Sequence, residues 1–278
     1  MHPVLFTFPG LNFPVRSYGV LLMIGVVLAL WLSRKRAPKF GIHPDKLYDA
    51  LFWMLIPGIF GARIMYIGQN WSYYSQNTNE LFSAQFAGLT SFGGMIFGFI
   101  GFWIWSHIHK VDRWAFLDTV GVPVLVAHAI GRVGCLMNGC CYGPPGTEWY
   151  CVTLYAENHK HEFYNAGRFM ASQAFDTLMC LAFAGVVAAI EKGRKFASGQ
   201  SFAIAVIAYG TSRFIYEFWR AGEPEIVNGK EVYVVDTVGS LPFTTGQGMA
   251  LLLVLVGIGL FIGRRRSAPA LPLQETAA

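Results

Sequence analysis

The sequence predicts an all-α membrane protein with seven spanning helices. Hydrophobic residues make up 54% of the 278 residues and charged residues only 13%, about half the charged share of soluble domains. Seven apolar segments have the roughly 20 residues that a helix needs to cross a bilayer. The basic residues collect in the connections between them. These observations predict one membrane domain over residues 1–266.

The first three spans are predicted near residues 18–34, 47–68 and 90–107. The first begins at Tyr18 and ends at a basic cluster that starts with Arg34. The second carries one intramembrane arginine, Arg63. The third opens on Gly93 and Gly94, small residues that let helix backbones approach each other closely.

The last four spans are predicted near residues 114–134, 172–190, 199–219 and 245–263. The fourth contains Arg132 and the sixth contains Arg213. An arginine inside a span costs a few kcal/mol or more, so it marks a functional site more often than a packing position. The seventh span starts beside Gln247.

The charges of the connections predict the orientation. Basic residues follow the odd-numbered spans, whereas residues 69–89 contain no lysine or arginine. Because cytoplasmic loops carry the excess of Lys and Arg, we expect the N-terminus outside and the C-terminus in the cytoplasm. The net charge of +5 therefore indicates a membrane topology and no nucleic-acid partner. The basic residues concerned are Arg34, Lys35, Arg36, Lys39, Lys46, Lys110, Arg113, Lys192, Arg194, Lys195, Arg264, Arg265 and Arg266.

This orientation has two further consequences. Residues 142–170 and 220–243 become the larger outer loops, and the Pro/Ala-rich residues 267–278 become a cytoplasmic tail that we expect to be disordered. Several polar and glycine residues then share the depth of the outer leaflet, whereas a transporter usually binds its substrate near the midplane. This depth favours binding or chemistry at a lipid headgroup. The residues are Tyr18, Arg63, Gly93, Gly94, Arg132, Arg213 and Gln247.

Two residues at this depth have structural alternatives. Arg63 is also explained as an interface anchor whose long side chain reaches the headgroups. Tyr18 is also explained as a member of the aromatic belt found at membrane interfaces. Both interpretations stay open at the level of sequence.

A polar run, residues 128–143, ends the fourth span. Its Arg132 lies between glycines, and a forked, permanently charged guanidinium beside accessible backbone suits a phosphate. His128 precedes Arg132 by one helical turn and shares its face. It is a candidate proton carrier, with a packing role as the alternative.

Arg213, Glu217 and Arg220 stand at positions i, i+4 and i+7 of the sixth span. This spacing puts them on one helix face. One interpretation is a second phosphate clamp in which Glu217 orients an arginine. The other is an ion pair at the membrane boundary, and the position of Arg213 inside the span favours the first.

The cysteines predict neither a metal site nor a catalytic thiol. The spacing from Cys135 through Cys140 and Cys141 to Cys151 is not a common zinc pattern, and no histidine pair lies beside it. In an oxidising compartment a structural disulfide is favoured over catalysis, with Cys141 and Cys151 as one possible pair. No glycine-rich nucleotide loop precedes a helix, and no cofactor is expected.

Taken together, these motifs resemble the bacterial prolipoprotein diacylglyceryl transferases over most of the chain. The most specific part is Gly131-Arg132-Val133-Gly134, followed by Asn138-Gly139 and Tyr142-Gly143, which is similar to the family signature G-R-x-G-N-F-x-N-x-E-x-x-G. The other similar groups are Ser17-Tyr18-Gly19, Gly61, Arg63, Tyr66, Asp118, Pro123, Arg213-Phe214, Glu217-Phe218, Arg220 and Gly246-Gln247.

The resemblance implies a reaction in the bacterial cytoplasmic (inner) membrane. A diacylglyceryl group passes from phosphatidylglycerol to the lipobox cysteine thiol of a preprolipoprotein, and glycerol phosphate leaves. The implied partners are phosphatidylglycerol, the lipobox segment and membrane lipids. The implied catalytic residues are Arg132, Arg213, Glu217 and Tyr18, to which the helical spacing adds His128 as a candidate. The implied substrate-binding residues are Arg63, Asn138, Gly143, Gly93, Gly94, Arg220 and Gln247.

The sequence also departs from the family pattern. Cys135 and Cys140 replace the first Asn and the Glu of the signature, and Phe92 stands where the family has a histidine that is a proposed base. The family pattern P-S-Q-L-Y-E corresponds to residues 171–176, where Asp176 replaces the glutamate. The alternatives are therefore a transferase with another phospholipid or acceptor, and a catalytically silent lipid-binding protein. If the chain is active, His128 is the nearest candidate base.

Overall fold

A computed structural model describes residues 4–8, 13–76, 78, 90–157, 163–194, 196–220, 223–227, 230–234 and 243–266. Each of the seven predicted spans coincides with a long helix, and one further short helix follows the second. The helices are α1 (Ser17–Arg36), α2 (Lys46–Gln69), α3 (Trp71–Tyr74), α4 (Ser91–Ile108), α5 (Arg113–Asn138), α6 (Ser172–Gly193), α7 (Gln200–Tyr216) and α8 (Thr245–Gly263).

The helices make the chain a polytopic membrane protein. Among the described residues, five segments are long and apolar enough to cross a bilayer, namely Ser17–Phe40, Lys46–Gln69, Arg113–Asn138, Ser172–Gly193 and Thr245–Arg266. Gly93–Ile108 is apolar but shorter, and α7 has 17 residues. Seven crossings and their orientation therefore stay predictions.

The sequence analysis missed three antiparallel hairpins, so the fold is mostly α rather than all-α. Strands β1 (Val4–Phe8) and β2 (Phe13–Arg16) precede α1. Strands β3 (Cys151–Glu157) and β4 (Phe163–Met170) pair within the predicted outer loop 142–170. Strands β5 (Glu223–Val227) and β6 (Lys230–Val234) pair within the loop 220–243. The predicted tail, 267–278, lies outside the described residues.

Residues 33–116 form one compact unit in which α2 and α4 pack at their glycines. A Cβ on Gly93 would overlap the carbonyl group of Gly61, and one on Gly101 would overlap the carbonyl of Trp53. A Cβ on Gly58 would lie 3.2 Å from the carbonyl oxygen of Gly94. Small residues at such an interface let two membrane helices approach to backbone contact.

Residues 1–32 and 117–270 form the second compact unit. Apolar side chains of α5, α6 and α7 make its buried cluster, and Asp118 on α5 caps the start of α7. Asp118 Oδ2 accepts from the backbone N–H of Gly199 at 2.6 Å, and Oδ1 accepts from that of Phe202 at 2.7 Å. The clustered residues are Val122, Leu125, Ala184, Val187, Ala205 and Ala208. Whether 1–266 acts as a single membrane domain stays a prediction.

Candidate functional site

A buried carboxylate, Asp176 on α6, joins two of the predicted site residues. Its Oδ2 lies 2.5 Å from Nε of Arg132 and 3.5 Å from Nε2 of His128. Its Oδ1 accepts a hydrogen bond from Ser212 Oγ on α7 at 3.0 Å and one from Cys180 Sγ at 3.5 Å. Asp176 is 1% exposed. Such a buried charge needs these partners, because an unpaired one would be costly.

Both predicted phosphate-binding arginines lie at the ring of Tyr216, the last residue of α7. The Arg132 guanidinium carbon lies 4.5 Å from the ring centroid and that of Arg213 lies 5.0 Å from it. A guanidinium at this distance is attracted by the aromatic face. The Tyr216 hydroxyl donates to the carbonyl of Cys141 at 2.8 Å, which fixes the ring.

Glu217 pairs with two arginines, as the helical spacing predicts. Its Oε2 lies 2.9 Å from Nη2 of Arg213, and its Oε1 lies 3.5 Å from Nη1 of Arg220. Glu217 is buried, and a Cβ on Gly246 would overlap its carboxylate. The shared face of these three side chains is confirmed, whereas their binding of phosphate stays a prediction.

Three thiols converge where α5 ends. The Sγ atoms of Cys135, Cys140 and Cys141 lie within 4.8 Å of one another, and all three residues are partly buried. Hydrogen bonds with the thiols of Cys135 and Cys140, and the charges of Arg132 and Arg220, lower the pKa of the Cys141 thiol. The cluster therefore borders the arginines.

The structure does not contain the disulfide that was one possibility for Cys141 and Cys151. All five cysteines are free thiols. Cys151 begins β3, where its Sγ donates to Glu148 Oε2 at 3.5 Å. The turn at Gly139 and Cys141 directs the chain so that the Cys141 thiol lies beside those of Cys135 and Cys140 instead.

The remaining predicted residues of this unit lie at packing, hydrogen-bonding or helix-end positions, and their predicted roles toward the substrate stay predictions. A Cβ on Gly134 would lie 3.2 Å from Cδ2 of Tyr18, so α1 packs closely on α5 at Tyr18. Asn138 is the last residue of α5. Gly143 donates its N–H to the Met170 carbonyl at 2.9 Å. Gln247 forms a capping box with Thr244 at the start of α8, and its predicted substrate contact is not tested.

The other unit holds Arg63, Gly93 and Gly94. The Arg63 guanidinium carbon lies 5.5 Å from the ring centroid of Tyr74. Gly93 and Gly94 pack against α2, which explains these glycines without a substrate. The Phe92 side chain lies outside the described part of the chain. Substrate roles for Arg63, Gly93 and Gly94 stay predictions.

The sequence analysis did not include Asp176, Tyr216 and Ser212 among the site residues. Asp176 had a signal, because an acidic residue in an otherwise apolar helix requires a partner. Its alignment with the glutamate of the family pattern was a second signal. Tyr216 and Ser212 had no such signal, since only the packing between helices brings Tyr216 to Arg132 and Ser212 to Asp176.

Comparison with known proteins shows the family to which this chain belongs. Residues 3–263 match the family described as prolipoprotein diacylglyceryl transferase. The chain belongs to the prolipoprotein diacylglyceryl transferase family. The departures from the family pattern that the sequence analysis predicts at Phe92, Cys135 and Cys140 stay predictions.

Three relatives are each named phosphatidylglycerol–prolipoprotein diacylglyceryl transferase. One from Limosilactobacillus reuteri is 31% identical over 216 residues, which is 77% of this chain and 78% of the relative. One from Enterococcus faecalis is 27% identical over 260 residues, 91% and 88% of the two chains. One from Staphylococcus aureus is 26% identical over 265 residues, 95% and 89%. The family similarity thus extends over both compact units.

Proposed function

We propose that this protein transfers the diacylglyceryl group of phosphatidylglycerol to the cysteine thiol of a prolipoprotein. One observation carries the proposal: two arginines, each held by a buried carboxylate, meet at the ring of Tyr216. Such an arrangement suits a phosphodiester headgroup, and the names of the relatives supply the donor and the acceptor.

The ion pairs leave the arginines able to bind an anion. Asp176 approaches Arg132 at Nε rather than at a terminal NH2 group, and we assign the terminal NH2 groups to phosphate oxygens. Glu217 meets Arg213 through one terminal nitrogen, Nη2. Because the carboxylates hold the guanidinium groups in place before the lipid arrives, little side-chain entropy is lost on binding.

The reaction follows from these charges. The thiolate sulfur attacks the glyceryl carbon that bears the phosphate ester, a carbon–sulfur bond forms, and the carbon–oxygen bond to phosphate breaks. The electron pair leaves with the glycerol phosphate, which gains one negative charge. Arg132 and Arg213 stabilise that developing charge.

His128 is the proposed acceptor of the thiol proton. Its Nε2 faces the Asp176 carboxylate at 3.5 Å, and a carboxylate in this position stabilises the imidazolium that proton transfer creates. Asp176 therefore has two roles, since it orients Arg132 and supports His128. Because phenylalanine cannot accept a proton, Phe92 cannot be the base of this reaction, and we assign that role to His128.

We further propose seven crossings of the bacterial inner membrane, with the N-terminus outside. The basic connections support this topology. Reporter fusions should place Lys35 and Arg265 in the cytoplasm and Asn77 and Asn228, which lie outside the described residues, on the other side. A cytoplasmic reporter at Asn77 contradicts the topology.

The proposed function is tested with phosphatidylglycerol labelled in its acyl chains. Purified protein should transfer the label to a lipobox peptide with cysteine and not to the same peptide with serine. Complementation of a strain depleted of its own transferase tests the same activity in cells. No transfer from phosphatidylglycerol, together with failed complementation, contradicts the proposal.

A second candidate is a transferase for another phospholipid or acceptor. The two cysteines at the signature positions of Asn and Glu favour it, because they change the chemistry beside Arg132. The same assay with phosphatidylethanolamine and cardiolipin separates the two candidates. Lipid binding without transfer to any acceptor would instead indicate a silent lipid-binding protein.

A further inference from the structure

The cluster of Cys135, Cys140 and Cys141 has no part in the reaction derived above. The Sγ atoms of these three partly buried cysteines lie within 4.8 Å of one another, which is an unusual arrangement. Three thiolate ligands around one Zn²⁺ at about 2.3 Å would be about 3.8 Å apart. The observed spacing is therefore close to that of a metal site and needs only small side-chain rotations.

The surrounding structure holds the backbone of the cluster in place. The Cys140 carbonyl accepts from Gln173 Nε2 at 2.6 Å, and the Cys141 carbonyl accepts from Ser172 Oγ at 3.1 Å and from the Tyr216 hydroxyl at 2.8 Å. These donors come from α6 and α7, so two other helices fix the turn that carries the thiols.

Cys141 also has an uncommon backbone conformation. Its φ is +62°, in the left-handed region that costs a residue other than glycine about 1–3 kcal/mol. Such conformations occur where the surrounding structure requires them, and they are frequent at binding sites. Here the conformation puts the Cys141 thiol beside the other two.

We propose that Cys135, Cys140 and Cys141 form a three-thiolate site for Zn²⁺. Each thiol loses its proton to solvent when the metal binds, and no oxidant or reductant is needed. Soft thiolate ligands select zinc or monovalent copper over hard cations. Zn²⁺ with three protein ligands keeps a fourth, open position, as in catalytic zinc sites.

The open position suits a thiol from a second molecule, and a zinc-bound thiol is deprotonated. If the proposed function holds, that thiol is the acceptor cysteine, which would give its proton to His128 and stay on the metal as the nucleophilic thiolate beside Arg132. This assignment rests on the proposed function, whereas zinc binding itself does not.

Zinc binding is measured on the purified full-length protein in detergent, by metal analysis after Zn²⁺ loading and removal of excess metal. We expect about one Zn²⁺ per chain. The variant with both Cys135→Asn and Cys140→Glu restores the family residues and should fold but lose the metal. Cys141→Asn removes the third thiol with a residue that tolerates positive φ, and it should also lose the metal. Cys151→Ser is the matched control and should keep it.

Three results overturn the zinc site. They are wild-type protein without bound zinc, folded variants that bind zinc as well as wild type, and a disulfide between two of the three cysteines in purified protein. A second experiment uses a chelator specific for monovalent copper to compete with the purified protein for that metal. A protein that retains copper but no zinc is a further result that contradicts the proposal.

The fourth position is tested by replacing zinc with Co²⁺, whose sulfur-to-metal charge-transfer absorption grows with each thiolate ligand. Adding a lipobox peptide with cysteine should increase this absorption, and the serine peptide should not. An increase without any transfer activity would support the metal site and contradict the proposed function. Transfer activity without an increase would overturn the open thiol position and leave the proposed function intact.

Discussion

Two glycines near predicted site residues, Gly93 in one compact unit and Gly131 in the other, have opposite surroundings. In the unit of α2 and α4, a Cβ on Gly93 would overlap the Gly61 carbonyl. In the other unit, a Cβ on Gly131, next to Arg132, would have no atom within 4 Å. The first glycine permits two backbones to touch, whereas the second leaves space beside a charged side chain. The same residue type near a predicted site therefore indicates packing in one case and accessibility in the other.

The polar side chains differ in the same way. Arg132, Asp176 and Glu217 are buried and joined to neighbouring side chains by ion pairs or hydrogen bonds. The α2–α4 interface is instead built from small residues. Stability of the unit that holds Arg132 should therefore depend on charge pairing, and that of the α2–α4 unit on side-chain volume. The following variants test this contrast, from the largest expected effect to the smallest.

Asp176→Asn should have the largest effect. It removes the charge that faces both Arg132 and His128, and breaking a buried pair in this way costs about 3–5 kcal/mol. Transfer should fall by more than about a hundredfold and thermal unfolding in detergent should occur at lower temperature. Asp176→Glu keeps the carboxylate and should retain much of both. The exposed Asp45→Asn is the control, and an Asp176→Asn variant that behaves like it would contradict the paired-charge account.

His128→Gln should reduce turnover by about a hundredfold while lipid binding is retained, because it removes a proton acceptor. The measurement is turnover against pH with a lipobox peptide, beside lipid binding by the same protein. An unchanged rate and an unchanged pH profile would make His128 a packing residue.

Arg132→Lys should reduce transfer at least about tenfold, equivalent to about 1.4 kcal/mol of barrier. Lysine keeps the charge but lacks the planar fork that contacts two phosphate oxygens. Arg34→Lys, at an exposed ion pair, is the matched control. Near-normal turnover of the Arg132→Lys variant would exclude the clamp.

Gly93→Ala and Gly131→Ala should differ in stability by about 1–3 kcal/mol, since overpacking carries a cost of that size. Only Gly93→Ala should lower the unfolding temperature, because the new methyl group meets the backbone of α2. Equal unfolding temperatures for the two variants would remove the distinction drawn between the units.

Patterns among neighbouring residues predicted much of this structure. Contacts between residues far apart in the sequence could not be predicted from such patterns. Hydropathy placed all seven long helices, and helical spacing predicted the pairing of Arg213, Glu217 and Arg220. Glutamine three residues after Thr244 is a capping-box signature, so the role of Gln247 was present in the sequence and was missed.

The errors concern the ends of helices and the packing between them. Cys135 and Cys141 meet because the chain turns at Gly139, whose φ is +71°, and spacing rules for zinc sites do not include such a turn. The pairing of Asp176 with Arg132 depends on how α6 packs against α5. The hairpin strands were not predicted because the long apolar segments are the strongest pattern in this sequence and the prediction was based on them.

The cap that Asp118 provides to α7 also fixes how far along their helices the two arginines lie. Arg132 follows Asp118 by 14 residues, and Arg213 follows Gly199 by the same number. At a rise of about 1.5 Å per residue, each arginine lies roughly 21 Å from the cap along its own helix. Arg132 and Arg213 therefore lie at the same distance from the contact between Asp118 and Gly199. One residue inserted between the cap and either arginine would shift that cation by about 1.5 Å and turn it by about 100°.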